Sequence, residues 1–318
     1  MSKPLVRWTI GKSKQKSSYK ILDVSIRQMI SLYSDRFDYC VLYNHIEEKD
    51  ILFLKEKYPN VVFTKQNWKL FPVNLSRPSD VGVGEHNQII NGSFWKICPP
   101  RLNPVGHEIF LDNDLVFLKR PKAIEDFLSS KDKNLIIRDS NVYLGKYQGL
   151  FENEKQGYNS GVIGLRPNYN FENHIVENSG FLDDVNDYGD EQGLLMYVLY
   201  KTNPIIGSSE SFVGIHPDKL FLNGISDSRY EHLKKEDLDK KKFLQFYLDE
   251  KTGSWKNFND FQSFESEMNI TAPFGKLISK EETLRILRET FSNADVVHFL
   301  KSNRLSHFPW NYFRFKFI

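Results

Sequence analysis

Ile109–Asp114 reads IFLDND, an apolar run that ends in two carboxylates, and the apolar stretch LVFL (Leu115–Leu118) follows directly. The apolar residues on both sides predict a buried strand that breaks into a turn at its end. Side chains alternate along a strand with a period of two, so Asp112 and Asp114 are expected to point in the same direction. Divalent ions such as Mn²⁺ or Mg²⁺ prefer carboxylate oxygens. The stretch therefore predicts a divalent metal site.

Strand and helix patterns alternate upstream of this stretch. Short β-type runs predict three strands, at Leu5–Ile10, Tyr39–Tyr43 and Val61–Thr64. Apolar residues at three- and four-residue steps predict a helix over Ser18–Tyr33, and a second helix is expected over about Glu47–Lys57. Alternating strands and helices imply a largely parallel sheet covered by helices. We therefore expect an α/β fold of the nucleotide-binding type.

The pattern continues downstream, with a change of composition. Further elements are predicted as strands at Asn134–Ile137, Gly161–Leu165 and Asp295–Leu300 and as helices at Glu191–Tyr200 and Lys280–Phe291. Residues 226–270 are crowded with charged and aromatic side chains, which indicates a partly helical insertion. We expect a core over residues 1–225, this insertion, and a C-terminal segment over 271–318 that returns to the core.

Composition bounds the class of protein. The chain has 318 residues, 40% hydrophobic and 26% charged, and a formal net charge of +2, values typical of a globular protein. The low net charge gives no sign of nucleic-acid or membrane binding. Neither a signal peptide nor a membrane span is evident, so we expect a cytoplasmic protein, without stable membrane insertion and with peripheral membrane contact left open. Cys40 and Cys98 are interpreted as small core residues.

Three further motifs follow the acidic pair in order. They are YNSGVI (Tyr158–Ile163), DEQ (Asp190–Gln192) and DVVHF (Asp295–Phe299). Together with IFLDND they resemble the ordered signature of the GT-A-fold, DxD-containing glycosyltransferases, nearest to the glycogenin/galactosyltransferase-like (family 8-like) branch. The resemblance covers about residues 5–225 and 290–310. It implies a Rossmann-like sheet, a divalent metal and a nucleotide-sugar donor, for which UDP-sugar is expected.

The resemblance assigns a metal centre to Asp112, Asp114 and His298, with Asn113 beside the bound donor. A histidine between Val297 and Phe299 is by itself more often a hydrogen-bonded core residue than a ligand. The acidic pair shifts the interpretation of His298 towards a third metal ligand.

A second set of residues is expected to face the sugar. The resemblance places Asn159 and Gly161 at the border of the donor sugar. An amide can both donate and accept hydrogen bonds and a glycine permits close approach, although Asn and Gly also suit a β-turn. It places Asp190, Glu191 and Gln192 opposite the sugar and the acceptor. Asp190 and Glu191 also suit a helix start, where they could simply cap the helix or balance its dipole.

The chain departs from the family pattern after His298. The glycogenin-like branch has His-x2-Gly-x2-Lys-Pro-Trp, whereas this sequence has Lys301 in place of Gly, Arg304 in place of Lys, and Leu305-Ser306 in place of Pro-Trp. Lys301 and Arg304 remain candidates for binding the diphosphate. This sequence therefore lacks the glycine that would let the backbone approach the phosphate closely.

Three other cations are candidates for donor binding. Lys12 follows the first predicted strand in a Lys-rich loop that also suits a solvated face, while Lys96 and Arg101 precede the acidic strand and also suit a helix end.

Taken together, the motifs predict a metal-dependent glycosyltransferase that moves a sugar from a nucleotide-diphosphate sugar to a hydroxyl acceptor. A glycan or glycolipid acceptor is favoured, and a modified nucleic-acid base is less favoured because the net charge is low. Motif order favours retention of anomeric configuration over inversion. Two alternatives are a sugar nucleotidyltransferase, which normally needs a glycine-rich basic signature after the first strand, and a non-catalytic module that binds sugar nucleotides.

Overall fold

The computed structural model describes residues 2–11, 18–44, 46–66, 83–84, 88–89, 101–138, 144–151, 158–178, 188–215 and 292–299. The predicted insertion at 226–270, the predicted helix at Lys280–Phe291 and Cys98 lie outside these ranges.

Twelve strands and five α-helices lie within the described ranges. In chain order they are β1 (Leu5–Ile10), α1 (Ser18–Tyr33), β2 (Asp38–Tyr43), α2 (Glu48–Lys57), β3 (Val61–Lys65), β4 (Val83–Gly84), β5 (Gln88–Ile89), β6 (Glu108–Leu111), β7 (Leu115–Phe117), α3 (Lys122–Ser129), β8 (Leu135–Ile137), β9 (Asn159–Leu165), α4 (Phe171–Glu177), α5 (Tyr188–Tyr200), β10 (Ile205–Gly207), β11 (Phe212–Ile215) and β12 (Val296–Phe299). Two 3₁₀ helices, Ser34–Arg36 and Gly145–Phe151, complete the described elements.

Seven strands form the main sheet, in the order β10-β8-β9-β6-β1-β2-β3. Neighbouring strands are parallel except at β9, which runs antiparallel to both β6 and β8. One buried apolar cluster joins the sheet to α1, α2 and α3, and a second joins its other side to α4 and α5. The predicted fold class, a mixed and mostly parallel sheet flanked by helices, is confirmed.

A smaller sheet has the order β11-β12-β7. β12 is parallel to β11 and antiparallel to β7. The sequence predicts one β-type run on both sides of Asp112–Asp114, but the structure assigns the two halves to different sheets. β6 is fully engaged between β1 and β9, whereas β7 pairs with β12. The acidic turn therefore crosses from one sheet to the other.

Cys40 and His107 have structural roles in the core. Cys40 is buried, as expected, and burial raises the pKa of its thiol. His107 donates from Nε2 to the carbonyl of Ser130 at 2.6 Å and packs edge-on against Phe127. Burial lowers the pKa of His107, and the hydrogen bond to the Ser130 carbonyl acts in the opposite direction. Among the described residues, no helix is long and apolar enough to cross a membrane.

A buried ion pair lies at the start of β6. Arg7 and Glu108 have fully buried side chains, and Arg7 Nε is 3.3 Å from Glu108 Oε1. The Glu108 carboxylate also accepts hydrogen bonds from the backbone N–H groups of Leu102 and Asn103, at 2.8 to 3.1 Å. The guanidinium of Arg7 stacks on the Phe110 ring, 3.7 Å from its centroid. This cluster joins β1, β6 and the segment before β6.

We predict that Glu108→Gln lowers the free energy of unfolding by about 3–5 kcal/mol, because it removes the buried negative charge that faces Arg7. Urea unfolding followed by circular dichroism measures the change. Asp126→Asn is the matched control, since the Asp126–Lys122 pair is largely exposed and is worth about 0–1 kcal/mol. Equal urea midpoints for the two variants would contradict the structural role of the pair.

Candidate metal and active site

Three potential metal ligands come together where the two sheets meet. Asp112 follows β6, Asp114 precedes β7, and His298 pairs with Leu115 across the antiparallel β12–β7 ladder. His298 Nε2 lies 3.1 Å from Asp114 Oδ1 and 3.7 Å from Asp112 Oδ2. One ligand atom from each residue lies within 4.8 Å of the other two. The fold thus brings His298 to the acidic turn, as the sequence motifs predicted.

The three side chains differ in exposure. The His298 side chain is 3% exposed, whereas those of Asp112 and Asp114 are 24% and 17% exposed. The imidazole therefore forms the buried floor of the cluster and the carboxylates its open side. An ion held by all three would keep coordination positions facing solvent, as a site that binds a substrate oxygen requires.

The spacing of these atoms fits a small divalent ion. Two ligands about 2.1 Å from one ion, at adjacent octahedral positions, lie about 3 Å apart. The separation between His298 Nε2 and Asp114 Oδ1, 3.1 Å, matches this value, and the separation between His298 Nε2 and Asp112 Oδ2, 3.7 Å, is longer. A protonated imidazole between two carboxylates would suit similar distances. Titration with a divalent ion distinguishes a metal site from a protonated histidine between two carboxylates, because the metal site binds the added ion and releases protons when it does so.

Gly161 makes room for the histidine ring. A Cβ atom at position 161 would lie 2.7 Å from His298 Cε1 and 3.0 Å from His298 Nδ1, closer than side chains normally approach. The carbonyl of Gly161 also accepts the backbone N–H of Asp112 at 2.9 Å. The sequence interpretation expected close approach of a ligand or backbone here. The structure shows approach of a metal-ligand candidate instead.

Asn159 is held in one orientation. Its Oδ1 accepts the backbone N–H of Gly161 at 2.6 Å, and the residue is only 3% exposed. The sequence interpretation allowed this amide both to donate and to accept hydrogen bonds with a sugar. One lone pair of the oxygen is engaged by the Gly161 N–H, and Nδ2 is a donor that Asn159 could offer a ligand.

Gln192 connects helix α5 to the strand that carries Asn159 and Gly161. Its Oε1 accepts hydrogen bonds from the backbone N–H and the hydroxyl of Ser160, at 3.1 and 3.2 Å. Since α5 begins at Tyr188, Asp190 and Glu191 lie inside its first turn rather than at its cap. The positions of their side chains fall outside the described residues.

Arg101 is not brought to the site. Its guanidinium donates to the carbonyl oxygens of four residues, Asn103, Gly106, Arg166 and Tyr169, at 2.7 to 3.0 Å. Its Nε is also 3.7 Å from Glu108 Oε2, at the opposite end of β6 from Asp112, roughly 13 Å along the strand. The predicted contact of Arg101 with a donor stays a prediction, while its hydrogen bonds in the structure secure the loop before β6.

The remaining predicted cations cannot be placed. Lys12, Lys96, Lys301 and Arg304 lie outside the described residues, while Asn113 occupies the turn between the two carboxylates.

Sequence reasoning passed over Arg138, which follows β8 at the same edge of the main sheet as Asp112 and donates to the Tyr158 hydroxyl. The available signal was a positive charge directly after a buried strand.

No protein-family model matches the sequence, and no curated protein matches it at a significant level. Solved structures similar to this chain include an active-site mutant of LgtC, with 12% identity, a TM-score of 0.48 and coverage of 93% of this chain and 87% of LgtC. A structure of the galactosyltransferase LgtC in complex with donor and acceptor sugar analogues has 15% identity and a TM-score of 0.45, with coverage of 66% of this chain and 75% of that chain.

Two further solved structures are similar to this chain. Mouse xyloside xylosyltransferase 1 has 14% identity and a TM-score of 0.45, with coverage of 67% of this chain and 86% of that chain. The glycosyltransferase GlyE of Streptococcus pneumoniae TIGR4 has 9% identity and a TM-score of 0.45, with coverage of 98% and 60%. All of these neighbours are glycosyltransferases.

We predict that Gly161→Ala weakens Mn²⁺ binding at least about tenfold, because the new methyl group displaces the His298 ring. Titration of free Mn²⁺ by electron paramagnetic resonance measures the dissociation constant. Gly164→Ala is the matched control on the same strand, since its methyl group would meet Leu135 and Phe127 instead of His298. Both variants are expected to lose stability. Equal Mn²⁺ affinities in the two variants would contradict the site.

Proposed function

We propose that this chain is a Mn²⁺-dependent glycosyltransferase that moves a sugar from a nucleoside-diphosphate sugar, with UDP as the expected nucleotide, to a hydroxyl acceptor. The observation that carries the proposal is the convergence of Asp112, Asp114 and His298 at the carboxyl end of β6. Ligands in open α/β sheets commonly bind outside the carboxyl ends of the strands, where loops carry the polar residues.

The mixed donor set favours manganese over magnesium. Both ions accept carboxylate oxygens, but an imidazole nitrogen suits a transition ion better than Mg²⁺. When bound, such an ion supplies Lewis-acid stabilisation of the diphosphate as the glycosidic C–O bond breaks. The carboxylates of Asp112 and Asp114 would hold it from the open side, and His298 would hold it from the buried floor.

Asn159 and the first turn of α5 complete the proposed site. Asn159 would donate from Nδ2 to an oxygen of the donor sugar, while its own oxygen accepts the Gly161 N–H. In an inverting reaction, Asp190 or Glu191 would take the proton from the acceptor hydroxyl. In a retaining reaction, which we favour from the order of the motifs, the leaving diphosphate would take it.

The acceptor that we propose is a glycan or glycolipid, with a nucleic-acid base as the less favoured class. A cytoplasmic location, with peripheral contact to a membrane when the acceptor is a glycolipid, belongs to the same proposal. The cations Lys12, Lys96, Lys301 and Arg304 remain candidate ligands of the diphosphate.

We predict that Asp114→Asn lowers metal-dependent turnover of the donor about 100-fold or more, because the ion that stabilises the leaving group loses a charged ligand. A panel of nucleotide sugars with Mn²⁺, analysed for released nucleoside diphosphate and transferred sugar, measures the activity. Asp126→Asn removes a comparable charge at an exposed pair and should retain full activity.

The products distinguish the alternatives. A sugar nucleotidyltransferase would turn over pyrophosphate instead of releasing nucleoside diphosphate, and a non-catalytic module would bind the donor without turnover. Absence of Mn²⁺-dependent turnover and of Mn²⁺-dependent binding for every donor tested would overturn the proposed function.

We predict that Asn159→Asp lowers kcat/KM for the donor roughly 10- to 100-fold while Mn²⁺ binding is retained. Aspartate keeps an oxygen that can accept the Gly161 N–H but lacks the Nδ2 donor. Asn159→Ala serves as the comparison, because it removes both groups and should also loosen Gly161. If Asn159→Asp retains the kcat/KM of the unmodified chain, the donor role of Nδ2 is wrong.

A further inference from the structure

Asp295 lies directly before β12 and joins all three strands of the small sheet. Its backbone N–H and that of Val296 both donate to the carbonyl of Ser211, the residue before β11, at 2.9 Å. Its own carbonyl accepts the N–H groups of Leu118 and Lys119, just after β7, at 2.8 and 3.1 Å. Its side-chain Oδ2 accepts the Ser211 hydroxyl at 2.6 Å. We call the Ser211–Asp295 side-chain pair the clasp.

The two valines of β12 do not set its register. Val296 and Val297 are both completely buried, so the two faces of the strand are equally apolar at these positions. A slip of one residue would exchange one valine for the other, but it would turn His298 to the opposite face of the sheet. A polar contact at a defined place is needed to distinguish the two registers.

The clasp supplies such a contact close to the metal-ligand candidate. Three residue steps separate Asp295 from His298, about 10 Å along a strand. In the observed register, His298 pairs with Leu115 and Val296 pairs with Phe117. A one-residue slip would separate the Asp295 carboxylate from the Ser211 hydroxyl, and a hydrogen bond to a charged group is among the stronger ones.

We infer that Ser211 and Asp295 are positioning residues for His298, which set the register of β12 and so the affinity of the site for a divalent ion. The inference rests on the proposed metal site, although the position of the His298 ring can be measured without any ion. The side chains of Ser211 and Asp295 contact each other at the start of β12. Both act through the strand that carries His298.

Four variants of the full chain test the inference. Ser211→Ala and Asp295→Ala each remove the clasp but leave the backbone hydrogen bonds, while Ser211→Thr keeps a hydroxyl. Ser130→Ala is the matched control, because it removes another serine–aspartate side-chain contact, Ser130 to Asp132 at 2.9 Å, in a different part of the fold. Three quantities are measured for each variant: the Mn²⁺ dissociation constant, the nuclear magnetic resonance signal of the His298 Cε1–H group without metal, and the urea midpoint.

The expected result separates positioning from general stability. Ser211→Ala and Asp295→Ala should shift the His298 signal and weaken Mn²⁺ binding about tenfold, as is typical when a group that orients a metal ligand is removed. Ser211→Thr should restore both quantities to within about twofold of the unmodified chain, and Ser130→Ala should change neither.

Two results would overturn the inference. One is an unchanged His298 signal and Mn²⁺ affinity in Ser211→Ala and Asp295→Ala. The other is a loss of Mn²⁺ affinity that Ser211→Thr shares, or a loss of Mn²⁺ affinity that is proportional to the decrease in urea midpoint across all four variants. Either pattern would indicate an effect of stability instead of positioning. If the unmodified chain binds no Mn²⁺, the proposed function fails, and the His298 signal alone then decides whether the clasp positions the ring.

Discussion

The hydrogen bond from the Asp112 N–H to the Gly161 carbonyl holds the point where the chain leaves the main sheet. β6 is paired on both sides up to Leu111, and β9 runs in the opposite direction beside it. The antiparallel direction of β9 brings its first residues, Asn159 to Gly161, to the edge at which β6 ends. Had β9 run parallel to β6, these residues would lie at the far edge, near Glu108.

This arrangement gives the two ends of β6 different chemistry. At its start, Glu108 is completely buried and surrounded by Arg7, Arg101 and backbone donors, so its charge is compensated and inaccessible. At its end, Asp112 and Asp114 are partly exposed and face the ring nitrogen of His298. Buried charges need partners to remain charged, whereas partly exposed carboxylates can exchange a partner for a metal ion. The first end stabilises the sheet, and the second is the proposed reactive end.

Local patterns were sufficient to predict most elements of the main sheet. The helix at Ser18–Tyr33 was predicted with its observed bounds, because its apolar residues follow the helical period and no glycine or proline interrupts it. β2 and β3 differ from their predicted bounds by one residue each. The residues on both sides of Asp112–Asp114 were predicted to be β-type, but the local pattern does not contain the information that β7 leaves the main sheet and pairs with β12.

The candidate site shows the same division between local and long-range information. Residue type identified Asp112, Asp114 and His298 as candidate ligands, but Arg101 was equally attractive by type and is held at the other end of β6 by carbonyl groups distant in sequence. The reason for a glycine at 161 became visible only with the His298 ring beside it.

The sequence by itself determined the alternation of strands and helices, the acidic pair and the order of the motifs, because these depend on the periodicity and chemistry of neighbouring residues. Only the tertiary structure decided that residues 184 positions apart, Asp114 and His298, lie 3.1 Å from each other. It also decided that the Asn159 oxygen accepts the Gly161 N–H and that Ser211 meets Asp295. Strand pairing joins segments that are remote in the chain, and their register is set by contacts that no local pattern contains.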